Sequence, residues 1–161
     1  HNTYEVPVIV THCMNIFGER QHPEKFIPKV ISHLLKKEIV PIYCDKQLKR
    51  VGARSYIHAD DVNEALTLVL NKGKLGDKYN IEGSKDIENI TVANIIADEM
   101  DVKLKIKKIA SDTVRPGNDF DYGINGSKLK KMGFKLKYSD EKKIREVVRW
   151  YLNNRRWIYE Y

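Results

Sequence analysis

The sequence has 161 residues, of which 42% are hydrophobic and 32% charged, and its formal net charge is +7. This composition excludes an intrinsically disordered chain, and no apolar run approaches the ~20 residues that a membrane-spanning helix requires. The length is sufficient for one domain with a substantial core. The two cysteines, Cys13 and Cys44, form no Cys-x-x-Cys pair, which favours a reducing, cytoplasmic compartment.

The first predicted element is a buried strand over residues 6–11, an apolar run that ends in polar residues. A buried parallel strand cannot stand alone, so we expect the chain to be a fragment or a part of a longer enzyme. A polar loop with Gly18 and Pro23 follows, and the spacing of apolar residues then predicts a helix from about Phe26. Pro28 is compatible with this helix only within its first turn.

Short strands and helices alternate through the rest of the chain, which indicates an α/β fold. Strands are expected over residues 39–44, 55–57, 78–83 and 102–110. Helices are expected to begin at polar caps, which are Asp60 or Asp61, Asn89 or Thr91, Asn125, and Ser139. The last helix presents an apolar face made of Ile144, Val147, Val148, Tyr151 and Leu152.

The positive charge is compatible with nucleic-acid binding, but the distribution of lysines weighs against it. They are spread over predicted helices and hairpins instead of forming one stripe, as solvated faces do. The five histidines show no metal-ligand spacing, and structural roles are expected for them: His1, His12, His22, His33 and His58. The sequence contains no GxGxxG, P-loop or GxSxG motif, so a complete catalytic apparatus is not expected within it.

Polar residues at the ends of strands and helices remain as candidates for chemistry. They are Asn15, Lys25, Tyr43, Arg54, Asn89 and Arg115. The two arginines stand on a strand end and on a rigid turn, positions that suit bidentate recognition of an anion. In the Arg115-Pro116-Gly117 turn, proline fixes one backbone angle and glycine frees the next, so that the arginine is held still. Taken singly, a residue of this kind has a structural role more often than a functional one.

The order of several sequence blocks along the chain favours a functional role for these residues over a structural one. "VPVIVTHCMNIFGERQHPEKFIP", "ARSYIHADDVNEAL", "GDKYNIEG", "RPGNDFDYGINGSKLKKMGFK" and "IREVVRWYLNNRRW" occur in this order and cover almost the whole chain. Together they resemble the NAD-dependent sugar-nucleotide epimerase/dehydratase family of extended short-chain dehydrogenases. The "PEKFIP" and "RPGND" blocks resemble its 4,6-dehydratases most closely, while UDP-sugar decarboxylases and 4-epimerases share parts of them.

The resemblance implies a fold and a division of the chain. The fold would be the C-terminal part of an extended short-chain dehydrogenase, with one strand of the Rossmann sheet and the smaller mixed α/β substrate-binding domain. Residues 1–22 would end the Rossmann domain and residues 23–161 would bind the nucleotide sugar. The glycine fingerprint, the Tyr-x-x-x-Lys pair and the acid/base Asp-Glu of the family would lie upstream, so that no catalytic residue is assigned in this segment.

The resemblance also implies ligand contacts. Arg54 and Arg115 would bind the diphosphate together with Asn15, and Asn89 would contact the nucleotide. Ile16 would approach the nicotinamide of NAD, which would be bound mainly by the upstream half. The other implied substrate contacts are Lys25 and Phe26 along the sugar-nucleotide path, Pro41, Ile42 and Tyr43 against the base, and Asn118. The ligand would be a dTDP- or UDP-sugar, with no nucleic acid or membrane partner, and the full-length enzyme would be a homodimer.

Several positions depart from the family pattern. His12 replaces arginine or asparagine, Glu19 replaces proline, and Asn118 replaces the histidine that usually follows Arg-Pro-Gly. The connection before Arg54 is longer than usual, so Arg50 competes for its phosphate role. We favour Arg54 because the following "SYIHADD" sets its register.

Overall fold

The computed structural model describes residues 1–111 and 123–159. The elements in chain order are β1 (Val10–Cys13), β2 (Asn15–Phe17), α1 (Phe26–Leu35), β3 (Val40–Cys44), β4 (Ala53–His58), α2 (Ala59–Lys72), β5 (Lys78–Ile81), β6 (Asp86–Glu88), α3 (Asn89–Glu99), β7 (Ile106–Ala110), α4 (Ser127–Lys131), α5 (Glu141–Asn153) and α6 (Arg156–Tyr159). The alternation confirms the predicted α/β class. Among the helices of the described ranges, none combines the length and apolar character needed to cross a bilayer.

Parallel pairing dominates the strands. β1 pairs with β5, β2 with β4, and β3 with β7, all in parallel, while β6 joins the other edge of β4 in the antiparallel sense. The strand expected over residues 6–11 begins only at Val10, whose N–H donates to the Asp77 carbonyl at 3.1 Å. The sheet that contains β1 has two strands from this chain, since β5 lies beside it.

Two apolar cores hold these elements together. The larger core lies where α1, α3 and α5 pack on one another and on β3 and β4, and fully buried members include Ile31, Ile96 and Val147. The smaller core lies between α2, α4 and β5, around Ile81 and Leu129. Helix α1 begins at Phe26 as predicted, with Pro28 inside its first turn, so the proline removes no helical hydrogen bond.

The predicted caps of α2 and α5 were wrong by one to three residues. His58 caps α2, because its Nδ1 accepts the N–H of Asp60 at 3.1 Å. Asp140, and not Ser139, caps α5 by accepting the N–H of Lys143 at 2.8 Å. Polar residues near a helix start are a reliable signal, but tertiary contacts decide which of them caps.

The buried side chain of Asp61, an expected cap of α2, makes contacts with another segment of the chain instead. Its carboxylate accepts the N–H of Lys137 at 2.8 Å, the N–H of Tyr138 at 3.0 Å and the Ser139 hydroxyl at 2.5 Å. The Ser139 oxygen in turn accepts the N–H of His58 at 2.9 Å. Asp61 and Ser139 thus join the start of α2 to the segment before α5 instead of capping either helix.

The expected caps of the two remaining helices also differ from the structure. Glu88 precedes α3 without a side-chain capping bond, so neither Asn89 nor Thr91 caps it. Asn125 does act near the start of α4, where its Oδ1 accepts the N–H of Ser127 at 2.8 Å. The side-chain amide of Asn89 instead makes a contact with the hydroxyl of Tyr56.

Candidate functional site

A cleft of about 800 Å³ lies between the N-terminal half of α1 and the edges of β2, β3 and β4. Most of the ligand residues expected from the sequence line it: Asn15, Ile16, Lys25, Phe26, Pro41, Tyr43, Arg54 and Asn89. They come from five different elements or their ends, over some 75 residues of chain between Asn15 and Asn89. The fold therefore brings together side chains that sequence blocks only placed in order.

Among the described residues, one expected ligand residue, Ile42, is not part of this lining. Ile42 is completely buried in the larger core, because the alternation of β3 turns Pro41 and Tyr43 toward the cleft and Ile42 away from it. The expectation that the Ile42 side chain packs on a base was wrong for that reason. Arg115 and Asn118 lie outside the described residues.

The floor of the cleft is formed around Gly52. A Cβ atom at this position would lie 3.6 Å from Nη1 of Arg54 and 3.7 Å from Nδ2 of Asn89. The glycine therefore leaves space beside both nitrogen donors. The Gly52 carbonyl accepts the N–H of Asn89 at 2.9 Å, which joins the start of α3 to this floor.

Two hydrogen bonds orient the donors. The hydroxyl of Tyr56 donates to Oδ1 of Asn89 at 2.9 Å, which places the amide nitrogen on the opposite side, toward Gly52. Nη1 of Arg54 donates to the Ala53 carbonyl at 2.6 Å, which fixes the guanidinium against its own strand. A fixed amide and a fixed guanidinium side by side suit an anion with several oxygen atoms.

The competing arginine occupies a different place. Arg54 is among the residues that line the cleft and Arg50 is not, since Arg50 lies exposed in the turn between β3 and β4. The N–H of Arg50 donates to Oδ1 of Asp45 at 3.1 Å within that turn. This placement supports the preference for Arg54.

The start of α1 contributes positive charge to the opposite wall. Lys25 directly precedes the helix and Lys29 lies one turn further, and both line the cleft. Backbone N–H groups at a helix start also carry partial positive charge. The wall formed by α1 therefore complements an anionic ligand as well.

Sequence reasoning missed several lining residues. They are Gln21, Glu24, Lys29, His33, Gly52 and Tyr56. Lys25, Lys29 and His33 follow one another at intervals of four, so the helical period could have shown that they share a face. His33 lines the cleft, and its Nδ1 lies 3.0 Å from Oε2 of Glu38.

Two other arrangements of side chains form no site among the described residues. Within residues 1–111 and 123–159, no group of His, Cys, Asp and Glu side chains could hold a metal ion. A Tyr-x-x-x-Lys spacing does occur at Tyr138 and Lys142, but Asp140 between them caps α5 and neither residue lines the cleft.

Comparisons with known proteins agree with this α/β architecture. Residues 1–81 match the NAD dependent epimerase/dehydratase family, and the chain belongs to this family. The dTDP-glucose 4,6-dehydratase of Xanthomonas campestris pv. campestris is 38% identical over 98% of this chain and 46% of its own length. A trifunctional UDP-glucose 4,6-dehydratase/UDP-4-keto-6-deoxy-D-glucose 3,5-epimerase/UDP-4-keto-L-rhamnose-reductase of Arabidopsis thaliana is 36% identical over 96% of this chain and 22% of its own length.

A solved structure shows the same fold. The dTDP-glucose 4,6-dehydratase of Bacillus anthracis, in complex with NAD, superposes with a TM-score of 0.84 at 34% identity over 97% of this chain and 48% of that one. The chain thus spans about half the length of the dTDP-glucose 4,6-dehydratases that it matches.

Proposed function

We propose that this chain is the nucleotide-sugar-binding portion of an NAD-dependent dehydratase that converts dTDP-glucose to dTDP-4-keto-6-deoxy-glucose, for the biosynthesis of deoxysugars of the rhamnose type. The observation that carries the proposal is the convergence of Arg54 and Asn89 at Gly52 inside the cleft. Curated and solved relatives that are similar along almost the whole chain include dTDP-glucose 4,6-dehydratases.

The proposed binding mode follows the walls of the cleft. Arg54, Asn89 and Asn15 contact the diphosphate and the nucleotide, with Arg115 as a further diphosphate ligand. Pro41 and Tyr43 offer flat apolar surface to the base. Lys25 and Phe26 line the path of the sugar.

Ile16 and its neighbours fit the nicotinamide end of NAD. The Ile16 side chain lies at the edge of the cleft and is exposed, which suits the flat face of a nicotinamide ring. Bound NAD would accept hydride from C4 of the sugar and return it to C6 after water has left across C5 and C6. The described residues of this chain bind and orient the nucleotide sugar, and the acid/base groups are assigned to the upstream half of the enzyme.

A UDP-sugar dehydratase, decarboxylase or 4-epimerase is the alternative within the family. The Arabidopsis relative favours it, because its name states action on UDP-glucose. The residues at the proposed base end, Pro41 and Tyr43, provide stacking surface that either pyrimidine base can use. We propose a cytoplasmic homodimer for the full-length protein in either case.

A nucleic-acid-binding module is the alternative from another class. It would place its contacts on the many exposed lysines and show a steep loss of affinity with salt. The cleft favours a small ligand instead, because its donors converge on one point at Gly52.

The experiment is a substrate panel with the full-length protein. Purified enzyme with NAD is incubated with dTDP-glucose, UDP-glucose and UDP-glucuronate. Mass spectrometry detects the loss of one water or of carbon dioxide, and chromatography separates an epimer of unchanged mass from the substrate. We expect loss of water from dTDP-glucose at the highest kcat/KM. Dehydration of UDP-glucose at a higher kcat/KM would establish the UDP alternative, and decarboxylation or epimerisation alone would exclude a dehydratase.

The 161-residue chain by itself serves as the companion sample. We expect it to neither dehydrate dTDP-glucose nor retain NAD, because the sequence lacks the glycine-rich dinucleotide fingerprint. Turnover by this chain alone would show that its own residues complete an active site.

A further inference from the structure

The loop of residues 18–21, from Gly18 to Gln21, joins two parts of the cleft. Ile16 lies two residues before it and Lys25 four residues after it, and both line the cleft. The proposed function places the nicotinamide at the first of these residues and the sugar at the second. This loop is therefore the segment of chain that connects the two ends of the site.

Tyr151 of α5 holds this loop from behind. Its hydroxyl lies 3.0 Å from the carbonyl oxygen of Gln21 and 3.4 Å from that of Gly18, and its side chain is completely buried. Burial raises the pKa of the Tyr151 hydroxyl to about 12, so it stays protonated and donates at every physiological pH. The nearer carbonyl belongs to Gln21, which itself lines the cleft.

Arg20 is held by the two tryptophans of α5 and α6. Its guanidinium carbon lies 6.0 Å from the ring centroid of Trp150 and 5.9 Å from that of Trp157, which are cation–π distances. Its backbone φ is 63°, a left-handed conformation that residues with a side chain adopt infrequently. The tryptophans therefore stabilise a strained turn immediately before Gln21.

The other two side chains of the loop are also fixed. Nε2 of Gln21 donates to the carbonyl of Ile16 at 2.6 Å, which closes the loop onto β2. Oε2 of Glu19 lies 3.4 Å from Nε2 of His58, a ring that is completely buried. Nδ1 of His58 accepts the N–H of Asp60, so the ring proton of the neutral imidazole is on Nε2, directed at Glu19.

We propose that Tyr151 and Arg20 are positioning residues of the catalytic site, although neither lines the cleft. By fixing the loop of residues 18–21, they set the distance between the nicotinamide end at Ile16 and the sugar end at Lys25. Alignment of reacting groups is a large part of catalysis, so a small change in this distance lowers the rate. This inference rests on the proposed function.

The test uses Tyr151→Phe in the full-length enzyme, which keeps the buried ring and removes only the hydroxyl. We expect the KM for dTDP-glucose to rise and kcat to fall, with kcat/KM lowered about tenfold. A merely structural role would reduce the fraction of folded enzyme and hence the apparent kcat, while KM stayed unchanged. Tyr159→Phe is the matched control, because it removes the hydroxyl of a half-exposed tyrosine on α6 and should leave both constants unchanged.

Arg20→Gly provides an independent second variant. Glycine adopts the left-handed conformation without strain, so the melting temperature should be maintained while the side-chain anchor is lost. We expect KM to rise here as well. Amide hydrogen exchange should show faster exchange in residues 18–25 in both variants and unchanged exchange in β3 and β7.

The outcomes separate the two proposals. If the wild-type enzyme does not act on dTDP-glucose, the proposed function is refuted. Hydrogen exchange in Tyr151→Phe and Arg20→Gly then still shows whether these two residues fix the loop of residues 18–21. An active wild type with unchanged KM in both Tyr151→Phe and Arg20→Gly refutes the positioning role. Faster exchange throughout the protein, instead of in the loop, refutes it too.

Discussion

The hydroxyl of Tyr56 lies 2.9 Å from Oδ1 of Asn89, and this contact crosses from the buried face of β4 to the first residue of α3. Because the carbonyl side of the amide is occupied, its nitrogen faces Gly52 and the cleft. A tyrosine that is almost fully buried thus determines which atom of Asn89 a ligand meets.

Tyr56→Phe should weaken nucleotide binding more than its small structural change suggests. The lost hydrogen bond costs about 1 kcal/mol of folding stability, and the amide of Asn89 becomes free to turn its oxygen toward the ligand. We expect a Kd for dTDP raised roughly three- to tenfold, measured by calorimetry on the full-length protein. Tyr4→Phe, at a highly exposed tyrosine, is the control, and equal Kd values in the two variants would contradict the orientation described here.

Gly52→Ala should block the anion position without unfolding the protein. The added Cβ would meet Arg54 and Asn89 at 3.6 and 3.7 Å, ordinary contact distances that require no rearrangement of the fold. It would occupy the space of the ligand, so the affinity for dTDP should fall about tenfold at a nearly constant melting temperature. Gly123→Ala is the matched control, because a Cβ there meets nothing within 4 Å. Unimpaired binding in Gly52→Ala would exclude this point of the cleft as the diphosphate site.

Arg54→Ala should reduce substrate affinity far more than Arg50→Ala. Loss of a charge-assisted contact costs roughly 1.5–3 kcal/mol, which corresponds to a Kd raised roughly 10- to 150-fold. Arg50 lies outside the cleft lining, so its removal should change the Kd less than twofold. Both variants are measured in the full-length enzyme, and the reverse order would transfer the phosphate role to Arg50.

Arg115→Lys tests the turn of Arg115, Pro116 and Gly117, which the sequence predicts to hold a diphosphate ligand. Lysine keeps the charge but lacks the planar fork that grips two oxygens, so affinity for the nucleotide sugar should fall with little change in melting temperature. If Arg115 instead braces its loop through Asp112, Asp119 or Asp121, the melting temperature falls and affinity stays near normal. Unchanged affinity would show that the ligand assignment is wrong.

Asp61→Asn should destabilise the fold without a direct effect on the cleft. Both carboxylate oxygens accept backbone N–H groups, from Lys137 and Tyr138, so an amide must direct its NH2 group at one of these donors. We expect a loss of about 2–4 kcal/mol in the free energy of unfolding, measured by urea titration. The exposed Asp98→Asn serves as the control, and a loss below 1 kcal/mol would mean that the buried carboxylate contributes little.

Periodicity was sufficient to predict the main elements, because each depends on local spacing. The start of α1 at Phe26 followed from apolar residues at helical intervals, and β3 followed from a short apolar run. The caps were not predictable in the same way. Asp61 has the right residue type and position for a cap, yet residues 76 to 78 positions later in the chain bind its carboxylate.

The site was predictable where sequence blocks carried the information, and not where geometry did. The blocks identified Lys25, Arg54 and Asn89, all of which line the cleft. Ile42 was predicted as a ligand residue together with its neighbours Pro41 and Tyr43. Side chains alternate between the two faces of a strand, so Ile42 lies on the face opposite to theirs. Gly52 was missed because only the positions of Arg54 and Asn89 in space show that a side chain there would stand between them.

The hydrogen bond from Tyr151 to Gln21 spans 130 residues of chain, which has a consequence for folding. Contacts between distant segments form late, because the entropy of closing a long loop must be overcome before they stabilise anything. The loop of residues 18–21 is therefore synthesised before α5 but reaches its final shape only after α5 has been synthesised. Until then the loop lacks its hydrogen bond to Tyr151. A ligand that contacts both ends of the cleft therefore cannot stabilise the earlier stages of folding.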